Sequence, residues 1–94
     1  MNISGFIWLD EIEEKIEQKH RVFREEVEEA FGNRPKYRKG PKGKYAGEDL
    51  YYAYGRTDNG RYLFVVFIYK KTREALITSA RDMNENERRL YARK

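Results

Sequence analysis

The chain has 94 residues, enough for one domain with a modest core, to which eight Tyr, five Phe and one Trp bring large apolar areas. The absence of cysteine excludes a disulfide framework and a thiolate metal site, a lone histidine leaves no usual zinc set, and no apolar run is long enough to span a bilayer; with no secretory pattern at the start, a cytoplasmic protein without metal or cofactor is expected. The formal charge of +4 divides unevenly: residues 1–33 hold four Lys/Arg against nine Asp/Glu, and residues 34–94 hold sixteen against seven, a basic balance that attracts phosphate backbones but also suits a merely soluble surface.

Phe6-Ile7-Trp8-Leu9 is a short apolar run and reads as a first strand or strand-like entry. Asp10 stands three residues before Glu13, the spacing of a capping box, so a helix is predicted from about Glu11 to about His20, with Ile12 and Ile16 on its buried face. Val22-Phe23 makes a corner. A second helix is predicted from about Arg24 to Phe31, buried through Val27, Ala30 and Phe31, with Phe23 as a staple and Gly32-Asn33-Arg34-Pro35 as its stop. Tyr37 is read on an edge strand before a glycine-rich basic loop. Leu50 to Arg56 alternates as a strand, Asp58-Asn59-Gly60 is a hairpin turn, and the apolar run Tyr62 to Tyr69 is the central strand. Glu74 to Ala80 returns as a further strand. Asn84 and Glu87 form a capping box for a short last helix to about Tyr91. The order predicts an α+β fold over residues 1–94: a small antiparallel sheet of three to four strands, two N-terminal helices and a short C-terminal helix.

The candidate chemistry is cationic. His20 is the side chain whose ordinary pKa lies near neutrality, and it falls near a helix C-terminus beside Lys19; either can handle a proton in RNA cleavage, while the alternative is a histidine that simply packs against the corner. Arg81 ends a strand where a helix begins, a place from which its fork can grip a phosphate; the alternative is an ion pair to Asp82 or a glutamate of the first helix. Arg56 and Arg61 flank the hairpin turn and are read as cross-strand neighbours that extend a basic groove or merely solvate it. Arg88 and Arg89 ride the last helix. Arg38, Lys39, Lys42 and Lys44 alternate with Tyr37 and Tyr45, a pattern suited to stacking bases and tracking a backbone but also to an ordinary linker. Glu87 is assigned to capping rather than to general-base work.

Trp8 followed by Lys19-His20, Phe23, the run Glu25-Glu26-Val27-Glu28-Glu29 and Phe31 resembles the amino-terminal signature of BrnT-like proteins. Gly55-Arg56-Thr57, Gly60-Arg61-Tyr62-Leu63, Ser79-Ala80-Arg81-Asp82-Met83 and Glu87-Arg88-Arg89 with Tyr91 resemble its carboxy-terminal signature. The resemblance implies a RelE-like fold, metal-independent endoribonuclease activity by attack of the 2′-hydroxyl, and a toxin of a type II toxin–antitoxin system neutralised by the DNA-binding antitoxin BrnA. It would put Lys19, His20, Arg61 and Arg81 in the catalytic site with Trp8 nearby. The expected partners are RNA and a BrnA-like antitoxin, with a homodimer left open and no membrane. Three positions depart from the family: Leu9 stands where Asp is frequent, Arg21 stands where glycine follows the Lys-His pair, and Ile16 or Glu17 replaces an Asn. All lie in or beside the first helix, so a non-catalytic module that binds nucleic acid or an antitoxin on the same fold is the alternative.

Overall fold

The computed structural model describes residues 1–42 and 48–93. Strand β1 (Gly5–Ile7) leads into helices α1 (Asp10–His20) and α2 (Arg24–Gly32), followed by strands β2 (Lys36–Lys39), β3 (Leu50–Arg56), β4 (Tyr62–Tyr69) and β5 (Glu74–Asp82), and helix α3 (Glu85–Ala92). The α+β class is as expected, but the sheet has five strands in the order β1-β5-β4-β3-β2. It is also mixed, because β1 runs parallel to β5, with Gly5 opposite Glu74 and Ile7 opposite Leu76. Three residues are too few to carry a periodic signal, and a partner so distant in sequence gives no local sign of direction.

The core lies between one face of the sheet and the two N-terminal helices. Alternation along β4 sends Leu63, Val65 and Phe67 to this face, where each is at most 1 % exposed. Ile16, Val27, Ala30 and Phe31 meet them from α1 and α2. Each fully buried large side chain of this kind is worth roughly 1.5–3 kcal/mol relative to exposure. The Phe31 ring is central, with its centroid 5.1 Å from that of Phe6 and 5.4 Å from that of Phe67, both edge-on. The opposite face carries a smaller cluster of Tyr54, Phe64 and Met83, with Tyr62 and Tyr91 packed against it. Gly55 marks the closest approach of helix to sheet: a Cβ there would come 2.9 Å from the Ala30 carbonyl oxygen.

Helix ends depart from the sequence reading in two places. Asp10 is not the cap of α1; it is already helical, and Leu9 takes the cap position without a side-chain bond. Asp10, Glu11 and Glu13 instead complement the helix dipole from the first turn. Phe23 is not a staple, being 49 % exposed. Val22 and Val27 hold the staple positions around α2 and are both buried, while the Phe23 N–H is satisfied by Glu26 Oε1 at 3.0 Å. The expected box at α3 is present, with the Asn84 N–H on Glu87 Oε1 at 2.9 Å and the Glu87 N–H on Asn84 Oδ1 at 2.8 Å.

Helix α1 ends at Arg21, whose φ of 54° and ψ of 36° lie in the left-handed region, and its N–H donates to the Glu17 carbonyl. Glycine adopts this conformation without penalty, whereas a side chain pays for its Cβ. Arg21→Gly is therefore expected to raise stability by about 1 kcal/mol. Urea denaturation of both proteins checks this, and an unchanged or lower midpoint would show that the Arg21 side chain contributes a compensating contact.

Candidate active site

The pairing of β1 with β5 stops at Leu76, and among the described residues no strand covers the β5 edge beyond it. Helix α1 lies along that edge instead. Between them is a hollow of about 240 Å³ lined by Ile12, Lys15, Ile16, Lys19 and His20 of α1 and Thr78 and Ser79 of β5. Ile12 and Ile16 turn inward, and the same helical spacing carries Lys15, Lys19 and His20 to the mouth. The strand is irregular here: Val66 pairs with Ser79 and Phe67 with Ile77, so Thr78 is an extra residue, and its hydroxyl donates to the Val66 carbonyl at 3.0 Å. None of the seven lining residues is acidic. Two ammonium groups, an imidazole and two hydroxyls form a set suited to an anion and to proton transfer, and not to a cation.

The two sequence-predicted arginines stand on opposite sides of the sheet. Arg61 reaches the core side and fastens the end of α1. Its Nη2 donates to the His20 carbonyl at 3.0 Å and its Nη1 to the Arg21 carbonyl at 2.7 Å. The remaining N–H groups meet carboxylates: Nε on Asp82 Oδ1 at 2.7 Å, Nη2 on Asp82 Oδ2 at 3.2 Å, and Nη1 on Glu26 at 3.1 Å. All five guanidinium donors are thus engaged. The hydrogen bond from Arg61 holds Asp82 below the usual carboxylate range. Arg61 and Arg56 are not cross-strand neighbours, since Arg56 pairs with Tyr62 and Arg61 lies in the turn beyond it.

Arg81 is opposite Phe64 on the other face, the same face as Ser79 two residues earlier. Its guanidinium carbon lies 4.4 Å from the Phe64 ring centroid. Its fork meets Glu87, with Nη1 on Oε1 and Nη2 on Oε2, both at 2.7 Å. The ion pair is therefore to the capping glutamate of α3, rather than to Asp82 or a glutamate of α1. The Glu87 side chain is 13 % exposed, and its hydrogen bonds with Arg81 hold its pKa below the ordinary value of 4.5.

The other predicted contacts scatter. Trp8 is not in the hollow: it packs at the margin of the core, donates to Glu28 Oε2 at 2.9 Å and lies beneath Arg24. Arg38 and Lys39 are exposed on β2 at the far edge of the sheet, Lys42 is exposed after it, and Lys44 lies outside the described residues. Arg56 and Arg88 lie over the Tyr62 ring at 5.4 Å and 4.3 Å, and Arg89 pairs with Glu85. Sequence reasoning missed Lys15, Thr78 and Ser79. Lys15 was readable as the residue one turn before Lys19, and Ser79 as the same-face neighbour of Arg81; the extra residue at Thr78 gave no signal.

Among the described residues no group of three His, Cys, Asp or Glu is disposed to hold a metal ion, and no helix is long and apolar enough to cross a membrane. The model of a family described as "Ribonuclease toxin, BrnT, of type II toxin-antitoxin system" matches residues 8–87, which include every residue of the hollow and both arginines. The chain belongs to this family of ribonuclease toxins, whose systems imply an RNA substrate and an antitoxin partner. Curated proteins give no match.

Arg61→Ala is expected to cost about 2 kcal/mol, because it strips charged donors from the carbonyls that end α1; a loss under 0.5 kcal/mol in urea denaturation, on the order of a surface substitution, would show that water replaces the fork. The Glu87 pairing makes a prediction of opposite character. A carboxyl depressed in the folded state stabilises above its unfolded value and loses that contribution as pH falls through the folded one. Below pH 4.5 the wild-type Tm should therefore drop more steeply than that of Glu87→Gln. Parallel curves would remove Glu87 from the acid transition.

Proposed function

We propose that the protein is a metal-independent endoribonuclease toxin whose reaction occurs in the hollow between α1 and β5. The observation that carries this is the lining itself: Lys15, Lys19 and His20 facing two hydroxyl residues with no carboxylate among them. In this reading the 2′-oxygen of a nucleotide bonds to the adjacent phosphorus while the bond from phosphorus to the 5′-oxygen breaks. The neutral His20 imidazole accepts the 2′-hydroxyl proton, and the Lys19 ammonium gives a proton to the departing oxygen. The products carry a 2′,3′-cyclic phosphate and a 5′-hydroxyl. Lys15 adds positive charge at the phosphate. Arg81 stabilises the extra charge of the pentacoordinate phosphorus once its fork exchanges the Glu87 carboxylate for a phosphate oxygen. Arg61 is a positioning residue, since its donors are spent on the backbone that bears His20. The partner in this reading is a BrnA-like antitoxin, and the setting is the cytoplasm.

One observation favours a second reading. Both arginines that the family resemblance would put in the catalytic site already hold carboxylates, Arg61 those of Asp82 and Glu26, and Arg81 that of Glu87. A module that binds RNA or an antitoxin without cleaving would keep those pairs permanently.

The two readings separate in a cleavage assay on structured RNA at neutral pH with a chelator present. Wild type is expected to cleave, and Lys19→Ala, His20→Ala and Arg81→Ala, each folded by circular dichroism, should lose roughly 100-fold in rate, the scale of a lost proton-transfer group or oxyanion donor. Wild-type rates in folded Arg81→Ala would remove that residue from the mechanism. No cleavage by wild type, with salt-sensitive RNA binding retained, would establish the binding module.

A further inference from the structure

Among the described residues, the face of the sheet turned away from α1 and α2 is covered by α3 at one end only, and the strand registers lay a continuous row across the rest. Arg38 of β2 is opposite Tyr52 of β3, Tyr52 opposite Val66 of β4, and Val66 opposite Ser79 of β5. Ser79 is also a wall of the catalytic hollow. The row therefore runs from an exposed cation at the sheet edge, over an aromatic ring, into the cavity that holds Lys19 and His20. The neighbouring row, nearer α3, begins at Lys36 and ends at Arg81. Neither row contains an acidic residue.

Tyr52 is built as a platform. Its ring lies against the backbone of Gly40, where a Cβ would come 3.1 Å from Tyr52 Cζ, and its centroid is 5.1 Å from that of Phe64. The glycine thus leaves room for the ring beside it, and the side chain keeps part of its surface in solvent. Cations at both ends and a ring between them match the chemistry of single-stranded nucleic acid, whose phosphates need charge and whose bases stack on any aromatic face. A protein segment would have to cover the same face against two positive ends.

We propose that this row is the path of single-stranded RNA into the hollow, with a base outside the scissile dinucleotide stacked on Tyr52 and the backbone held by Arg38 and Lys36. Three strand spacings separate β2 from β5, roughly 14 Å, which accommodates a few extended nucleotides. The path rests on the ribonuclease reading for its direction, but not for its existence. It selects unpaired RNA, because a base must leave its helix to reach the ring.

The test uses a 2′-O-methyl octanucleotide, which has no 2′-hydroxyl to react, alongside a cleavable octanucleotide and a dinucleotide of matching sequence. Tyr52→Ala should weaken octanucleotide binding roughly tenfold, as expected for one lost base stack, while Tyr52→Phe binds as wild type does. Arg38→Gln should lower the salt dependence of binding. In cleavage, Tyr52→Ala should raise KM for the octanucleotide with little change in kcat, and leave the dinucleotide unaffected. Wild-type cleavage together with unchanged octanucleotide binding by Tyr52→Ala, or by Arg38→Gln should the first variant not fold, overturns the path and leaves the ribonuclease reading intact. Tyr52-dependent binding without cleavage supports the path and overturns the ribonuclease reading. Ile68 lies on this face two residues along β4 from Val66, and a dimer in solution that Ile68→Glu dissociates would assign the face to a second copy and overturn the path.

Discussion

The placement of the whole candidate site depends on the guanidinium of Arg61. One side chain joins the last carbonyls of α1, the first turn of α2 through Glu26, and the end of β5 through Asp82. Helix ends leave carbonyls without partners, and a buried end must find them. Here the partner comes from a hairpin forty residues away rather than from the corner itself. The corner can then be sharp: Arg21 takes the left-handed conformation, Val22 plunges into the core at 1 % exposure, and α2 starts at Arg24. Lys19 and His20 are the last residues of a helix whose end is pinned, which fixes them relative to β5 far better than a frayed terminus would.

The hollow exists because one strand stops early and its neighbour is irregular. Strand β1 pairs over three residues and, among the described residues, leaves the rest of the β5 edge without a strand. The extra residue at Thr78 then shifts the β5 alternation, so that Ile77 and Ala80 both face the core while Ser79 turns to the other side. A regular β5 would have a different side chain at the mouth. An edge strand with unpaired backbone is a liability for aggregation, and α1 covers it with a basic helical face. At the other edge of the sheet, the charged β2 sequence Lys36-Tyr37-Arg38-Lys39 serves the same protective end.

Much of this was legible in the sequence where local chemistry is strong. Strands β3 and β4 fall at their predicted bounds, because an aromatic alternation and an apolar run are joined by a turn dipeptide. The α3 box was readable from Asn84 and Glu87 alone. What was not legible depends on distant partners. Asp10 has the spacing of a cap, but the helix starts one residue sooner. Arg61 has the chemistry of a phosphate ligand, yet Glu26 and Asp82 claim it from 35 and 21 residues away. The parallel pairing of β1 follows from chain topology, not from Gly5-Phe6-Ile7 itself. Lys19 and His20 line the α1 side of the hollow, while the part that β5 takes in it was hidden by a one-residue irregularity.

The split in charge along the sequence acquires a structural meaning. Four of the acids in the first third are committed internally: Glu13 to Arg24, Glu26 to Arg61, Glu28 to Trp8 and Glu29 to the Asp58 N–H. They hold the helices to each other and to the hairpin. Of the later cations, Lys36, Arg38 and Arg81 stand on the open side of the sheet, and there the one carboxylate that meets a site arginine is Glu87 among the described residues. Glu87 also caps α3, so the same oxygens serve a helix start and an ion pair. In the proposed reaction a phosphate would take the place of that carboxylate on the fork, which costs Glu87 its partner and loosens α3, a helix with no fully buried residue. The balance at Arg81 in that reaction is an exchange of one anion for another. That is why a substitution at Glu87 should tune RNA affinity without altering the pocket on the far side of Ser79.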